Sequence, residues 1–105
     1  MFSALLLLAA ASAPAEAVIQ GFGRQGFQDR RADGTRGLYV QAITGRWYHA
    51  RFARPCRRLP AAGGITFETS PIDRLDKDSG IVAEGEVCRF ASLTESGPPP
   101  KKRRR

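Results

Sequence analysis

The chain has 105 residues with seventeen basic and ten acidic side chains, which gives a formal net charge of +7 at neutral pH. A chain of this length holds one small domain at most, which excludes a multidomain enzyme. Five of the basic residues are the last five of the chain, Lys101, Lys102, Arg103, Arg104 and Arg105. The rest of the chain is close to electrically balanced, so the sequence predicts a basic tail rather than a basic binding face.

Met1–Ala17 has the pattern of a secretory signal peptide. An apolar run over residues 4–11 is followed by Ala15-Glu16-Ala17, which matches the small-x-small pattern of signal-peptidase sites. We therefore expect Val18 to be the mature N-terminus and the protein to be exported, to the periplasm or outside the cell. The run is much shorter than the about 20 residues of a transmembrane helix, so no transmembrane segment is expected in the mature chain. The alternative, a buried N-terminal helix, is disfavoured by Pro14.

Export places the two cysteines, Cys56 and Cys88, in an oxidising compartment, where a disulfide between them is expected. Closing a loop of this size stabilises a protein by about 3–4 kcal/mol in the chain-entropy model. That is a large share of the net stability of a small domain. Two buried, unreactive thiols are the alternative.

Residues 18–26 contain three glycines and little periodicity, and we expect a flexible N-terminal segment there. Gly21-Phe22-Gly23-Arg24-Gln25-Gly26 matches the G-x-G-x-x-G dinucleotide-binding fingerprint by letters. That fingerprint needs a preceding strand, a following helix and a βαβ unit, and this chain is too short for such a fold. The match is therefore not interpreted as a nucleotide site.

Residues 27–94 show short stretches of alternating polar and apolar residues, which predict strands. The five predicted strands are Phe27–Arg31, Leu38–Ile43, Arg46–Ala53, Ile65–Thr69 and Ile81–Phe90, with a helical turn over Arg57–Ala62. Five short strands and one brief connector predict an all-β domain, a small five-stranded barrel or rolled sheet of the OB or SH3 type with one disulfide. Residues 95–105 are expected to be a disordered, Pro-rich basic tail.

The second and third predicted strands form a hairpin whose register follows from side-chain parity. A three-residue loop, Ile43–Gly45 with Gly45 in the left-handed conformation, keeps the apolar side chains together. In the last predicted strand, Ile81, Ala83, Gly85 and Val87 are expected to point inward and Glu84, Glu86 and Cys88 outward, with Gly85 marking a bulge. The hairpin's predicted core face carries Leu38, Val40, Tyr48, Ala50 and Phe52, and its other face carries Tyr39, Gln41, Trp47, His49 and Arg51.

Tyr39, Trp47, His49 and Arg51 form a candidate ligand face on this second side of the hairpin. Aromatic rings beside guanidinium groups can stack on bases or sugars, and OB-type barrels bind oligonucleotides and oligosaccharides on the same strands. The alternative is structural: the N-terminal segment or the chain end covers the aromatic rings, as happens to many large side chains.

Other patterns that resemble functional sites have simpler explanations. His49 is the only histidine and lacks ligand-like spacing to other groups, so no metal site is expected. Ser79, His49 and Asp76 could be assembled into a triad, but no nucleophile-elbow sequence supports it. Asp73, Asp76 and Asp78 precede Gly80 out of frame for an EF-type calcium loop, and a solvated turn is expected instead.

One series of residues carries a resemblance to a family. It begins with Gly45-Arg46-Trp47-Tyr48 and Pro55-Cys56 and continues through Ile65–Thr69 to Cys88 and a Pro-rich basic end. Over residues 27–94 the chain resembles a family of small exported bacterial proteins classed as a domain of unknown function. The resemblance implies export and one compact domain, and it implies no catalytic residues.

The expected function is therefore a binding or structural role of an exported, non-catalytic, monomeric β protein of the cell envelope without a cofactor. Lys101–Arg105 would attract anionic polymers or lipid head groups, and the alternative for this tail is a solvated terminus that only improves solubility. The alternative is an OB-like oligonucleotide or glycan binder that uses Tyr39, Trp47 and Arg51.

Overall fold

The computed structural model describes residues 16–69 and 71–100, and these residues form an all-β fold. Within them, eight strands and two short helical segments follow one another. The strands are β1 (Ile19–Gln20), β2 (Phe27–Asp33), β3 (Gly37–Ala42), β4 (Trp47–Phe52), β5 (Ile65–Glu68), β6 (Arg74–Leu75), β7 (Gly80–Ala83) and β8 (Glu86–Ser96). The helical segments are α1 (Phe22–Gln25) and the 3-10 turn η1 (Leu59–Ala61).

Six of the strands form one antiparallel sheet in the order β2-β3-β4-β8-β7-β5, which curls into a half-barrel. β8 joins the two halves because its first residues pair with β7 and its later residues pair with β4. A β-bulge shifts the register between Arg51 and Phe52 of β4, and such bulges bend a strand. The predicted all-β, disulfide-linked rolled sheet is confirmed.

The β3–β4 hairpin has the register that the sequence predicts. Leu38 pairs with Ala50 and Val40 with Tyr48, so these residues share the core face. The amide of Gly45 donates to the carbonyl of Ala42 over 2.9 Å, which closes the loop over residues 43–45. Gly45 has φ 96°, the left-handed conformation that this loop requires.

The last predicted strand is two strands joined by a tight turn. Glu84 and Gly85 both have positive φ, 51° and 85°, and Ala83 pairs with Glu86 across them. Two consecutive residues with positive φ form a type I′ turn, which reverses the chain instead of bulging it. As a result, Val87 is 58% exposed and Cys88 is buried, the opposite of the sequence expectation.

Residues 18–26, where the sequence predicts a flexible segment, contain β1 and α1 and contribute to the core. Ile19 of β1 pairs with Leu75 of β6, and Phe22 of α1 is 3% exposed. Phe22 packs edge-on against Phe67 of β5, with ring centroids 4.9 Å apart. A half-barrel leaves its concave side open to water, and this segment covers part of that side.

The disulfide links the loop after β4 to β8. Cys56 and Cys88 are both buried, with Cα atoms 5.6 Å apart. Leu59 of η1 lies in the same core cluster, within the predicted helical turn. The amide of Cys56 donates to the carbonyl of Thr35 over 2.7 Å, so this loop is also tied to the turn between β2 and β3.

The two ends of the described chain meet at β8. The amide of Ala17 donates to the carbonyl of Leu93 over 2.7 Å, and β8 continues to Ser96, beyond the expected domain end at residue 94. Most of the predicted signal peptide, residues 1–15, and the basic residues 101–105 lie outside the described residues. Over residues 16–69 and 71–100, no helix has the length and apolar character needed to cross a membrane.

Candidate functional site

The strand register places Tyr39, Trp47, His49 and Arg51 on one face of the sheet. Tyr39 pairs with His49 across β3 and β4, and Trp47 and Arg51 lie two residues to either side of His49. The opposite face carries the core residues Leu38, Val40 and Ala50. We call the face with the first four residues the outer face.

Two side chains of the outer face are already engaged with neighbours. His49 Nε2 lies 3.0 Å from Asp33 Oδ2, and the rings of Tyr39 and His49 have centroids 4.6 Å apart. Both residues are half-buried. The imidazole is therefore held between a carboxylate of β2 and an aromatic ring of β3, as expected for a structural strand residue.

The Pro-rich chain end reaches the same region. Pro99 and Pro100 line a cleft of about 360 Å³ together with Arg31, Asp33 and Tyr39. One side of Tyr39 therefore faces the protein's own C-terminal segment. This arrangement agrees with the structural alternative for Tyr39 and leaves Trp47, beside Ser96 of β8, at the opposite end of the hairpin.

Arg51 belongs to a second group of side chains at the other end of β4. It lines a cleft of about 160 Å³ with Arg36 and Arg54, and this cleft adjoins a groove of about 450 Å³ lined by Arg54, Arg89 and Glu86. Arg54, Ala53 and Pro55 line both spaces. We call Arg36, Arg51, Arg54 and Arg89 the arginine cluster.

Backbone hydrogen bonds bring the cluster together from three parts of the chain. The amide of Phe52 donates to the carbonyl of Arg36, and the amide of Ala53 donates to the carbonyl of Arg89, each over 2.9 Å. The nearby disulfide holds Cys56 to β8. The backbone positions of the four arginines are therefore fixed by hydrogen bonds of the sheet and by the disulfide rather than by a flexible loop.

Among the described residues, several other basic side chains have neutralising partners that the cluster arginines lack, as do Arg30, Arg57 and Arg58. Arg24, Arg31, Arg46 and Arg74 each lie within 3.5 Å of a carboxylate oxygen. Among the residues that the structure describes, no carboxylate lies within ion-pairing distance of a cluster arginine, 4.0 Å by the usual criterion. Positive charge therefore exceeds negative charge around the two concave surfaces, of which the larger is also lined by Glu86, and the excess attracts anions.

The fold thus gathers four arginines around two adjoining clefts, a grouping that the sequence does not predict. This grouping is missed from the sequence alone because the net charge of residues 18–100 does not show where the charged side chains lie in the fold. One local signal was present, since Arg51, Arg54, Arg57 and Arg58 fall within eight residues. Arg36 and Arg89 join through the sheet pairing, which carries no local signal.

The glycine-rich motif binds a carboxylate of the protein itself. The amides of Gly23 and Arg24 donate to the carboxylate of Asp73 over 2.6 and 3.3 Å, and the Arg24 guanidinium adds an ion pair of 3.5 Å. A side chain at position 23 would collide with this carboxylate. The motif is therefore a structural link between α1 and the segment before β6.

The remaining polar residues also have structural roles. The Ser79 hydroxyl lies 3.3 Å from Asp76 Oδ1 and accepts the Asp76 amide hydrogen, which closes a turn before β7. His49 pairs with Asp33 instead of Asp76, so Ser79, His49 and Asp76 do not form a triad. Asp76 is buried rather than solvated. Cys56, Cys88 and Glu86 are close together, but the disulfide leaves no thiolate to bind a metal.

Comparison with protein-family models found no match to this chain, and searches of curated proteins and of solved structures found none either. The resemblance to a family of small exported proteins stays a prediction.

Proposed function

We propose that this protein is an exported, non-catalytic binding protein that holds anionic polymers at the arginine cluster. The basic residues 101–105 add a second, less specific attraction to the same ligands. The observation that carries the proposal is the convergence of Arg36, Arg51 and Arg54 on one cleft without carboxylate partners among the described residues.

The physical basis is the chemistry of the guanidinium group. Its planar fork of donors matches the oxygens of phosphate and sulfate groups, and it keeps its charge at every physiological pH. Arginines that already pair with a carboxylate must lose that contact before they bind an anion, whereas the cluster arginines are free of this cost. Ligand anions would release counterions on binding, which makes the affinity depend steeply on salt.

Two further observations support the remaining parts of the proposal. The disulfide suits an oxidising compartment and therefore export. The residues that resemble a catalytic triad make other hydrogen bonds: Ser79 and Asp76 interact in a turn, and His49 pairs with Asp33. These contacts favour a role without catalysis.

The alternative is an oligonucleotide or glycan binder that uses Tyr39, Trp47 and Arg51 on the outer face. The shared face of these residues favours it. The cleft that Pro99 and Pro100 share with Tyr39 argues against it, because a ligand stacked on Tyr39 must first displace the chain end.

A salt titration of binding to heparin and to single-stranded DNA tests the proposal. It compares the full mature chain, the doubly substituted Arg51→Ala/Arg54→Ala protein, and a chain that ends at Pro100. Arg46→Ala is the matched control, since Arg46 is exposed and paired with Glu95 at 3.3 Å.

We expect the double substitution to weaken binding about 100-fold and to flatten the salt dependence, because two charge-assisted contacts are lost. The control should bind like the unsubstituted chain. The proposal is overturned if the double substitution and Arg46→Ala have the same effect. Loss of affinity with Trp47→Ala alone would favour the alternative.

A further inference from the structure

We infer that the two adjoining spaces of the arginine cluster form one site for a sulfated or phosphorylated sugar unit. The oxyanion occupies the small cleft and the sugar ring occupies the larger groove. This inference rests on the proposed function and names the ligand class for the same site.

The size and lining of the small cleft select a single charged group. Its volume of about 160 Å³ is below the roughly 300–1,000 Å³ of sites for whole organic ligands. Arg36, Arg51 and Arg54 line it, and no acidic residue of the described part of the chain does. A tetrahedral oxyanion ester fits this combination, because each of its free oxygens can accept from one guanidinium.

The larger groove has the mixed lining that a sugar ring requires. Its volume of about 450 Å³ is enough for one sugar unit, and Pro55 and exposed Val87 provide apolar surface for the ring. Glu86 and Arg89 provide an acceptor and donors for hydroxyl groups. One Glu86 oxygen, Oε1, accepts the amide hydrogen of Arg58 over 2.9 Å, which holds the carboxylate in place and leaves Oε2 for a ligand hydroxyl.

Arg54 connects the two spaces. Because Arg54 lines both the cleft and the groove, an oxyanion held by it lies next to the ring that carries it. An ester oxygen between ring and oxyanion is the chemical link that this arrangement accommodates.

The lining also argues against a nucleic acid as the ligand. Proteins that hold single strands stack the bases on exposed aromatic side chains. Of the aromatic residues within 16–69 and 71–100, Phe52 is the one that lines either space, and it is 6% exposed. Tyr39 and Trp47 line neither of them. A sugar hydroxyl moreover donates to a carboxylate such as Glu86, whereas the ionised phosphates of a nucleic acid backbone have no proton to donate to it.

The test measures binding of the full mature chain to three probes by calorimetry at one salt concentration. The probes are a heparin-derived tetrasaccharide, its desulfated counterpart, and oligothymidylate with the same charge as the tetrasaccharide. Glu86→Gln is the diagnostic variant, because its amide oxygen can still accept from Arg58. Glu95→Gln is the matched control on β8.

We expect the tetrasaccharide to bind about tenfold more tightly than oligothymidylate, and the desulfated sugar to bind at least tenfold more weakly. Glu86→Gln should weaken tetrasaccharide binding several-fold, since a hydrogen bond to a charged group is lost. The same variant should leave oligothymidylate binding unchanged or strengthen it, because a repelling charge is removed.

The outcomes separate this inference from the proposed function. If Glu86→Gln strengthens the binding of both charged probes equally, the site recognises charge without the sugar, so the inference fails while the proposed function stands. If the Arg51→Ala/Arg54→Ala protein binds both charged probes as tightly as the unsubstituted chain, the inference and the proposed function both fail. Far-ultraviolet circular dichroism of each variant confirms that the fold is retained.

Discussion

Arg51 shows how neighbours decide the role of a single residue. In the sequence it alternates with Trp47 and His49 and therefore belongs to the outer face of the hairpin. In the fold its guanidinium also lines the cleft with Arg36 and Arg54, contributed by the β2–β3 turn and the loop after β4. The residue that the sequence assigns to an aromatic ligand face thus becomes part of the proposed anion site.

At the same scale, Gly80 is required by a close approach of two strands. A Cβ at this position would lie 2.6 Å from the carbonyl oxygen of Cys88 and 3.2 Å from the Cα of Arg89. Because both are backbone atoms of the paired strand, they cannot move aside without breaking the β7–β8 pairing. We expect Gly80→Ala to lower the free energy of unfolding by about 1–3 kcal/mol in urea denaturation.

Gly97→Ala is the control for that substitution, since no atom lies within 4 Å of a Cβ built there. It should change the free energy of unfolding by less than about 0.5 kcal/mol. Equal effects of the two substitutions would contradict the steric argument.

At the scale of elements, the sequence predicts best where the alternation is long and one-sided. Because Leu38, Val40 and Ala50 must share the core face, Tyr39 and His49 are placed on the other face. The same requirement selects a hairpin loop of three residues. The β7–β8 turn was missed because Glu84-Gly85 lies inside an uninterrupted alternating run, where Gly85 alone suggests a bulge. Pairing of β1 with β6 was missed because two-residue strands carry no periodicity, and their contact depends on residues far apart in sequence.

The type I′ turn at Glu84-Gly85 predicts a stabilising substitution. Glu84 has φ 51°, a conformation that costs most L-residues about 1–2 kcal/mol and that asparagine adopts more easily. We expect Glu84→Asn to raise the free energy of unfolding by about 0.5–1 kcal/mol, measured by urea denaturation. Glu84→Gln removes the same charge but leaves the unfavourable positive φ, so it should not raise the free energy of unfolding. An equal increase for both variants would show that the effect comes from the charge.

We expect substitution of one aromatic residue in the N-terminal segment, Phe22, to cause a large loss of stability. Phe22 is buried and packs against Phe67, so Phe22→Ala leaves a cavity and should cost about 3 kcal/mol in the free energy of unfolding. Phe27→Ala is the control, because Phe27 is 38% exposed and loses less burial. If thermal unfolding shows similar losses for both variants, Phe22 does not close the half-barrel as described.

On the scale of the whole molecule, the arginine cluster and Pro100, the last described residue, lie near each other. Pro100 shares a cleft with Asp33, and the carbonyl of Asp33 accepts the amide hydrogen of Arg36 over 3.2 Å. Arg36 is a member of the arginine cluster, and Lys101 follows Pro100 directly. Pro100, the last described residue, therefore lies at the end of the molecule that carries the cluster, an arrangement that net charge and sequence order do not reveal.

This proximity predicts coupling between tail and cluster on a long polyanion. When two basic groups bind one polymer, the second contact is intramolecular and gains from a high effective concentration. A double-mutant cycle combines truncation after Pro100 with Arg51→Ala/Arg54→Ala and measures affinity for long heparin and for a disaccharide. We expect the two changes to be non-additive by about tenfold on long heparin and additive on the disaccharide, which is too short to reach both groups. Additivity on both ligands would mean that tail and cluster bind independently, and the tail would then act as a separate attachment point.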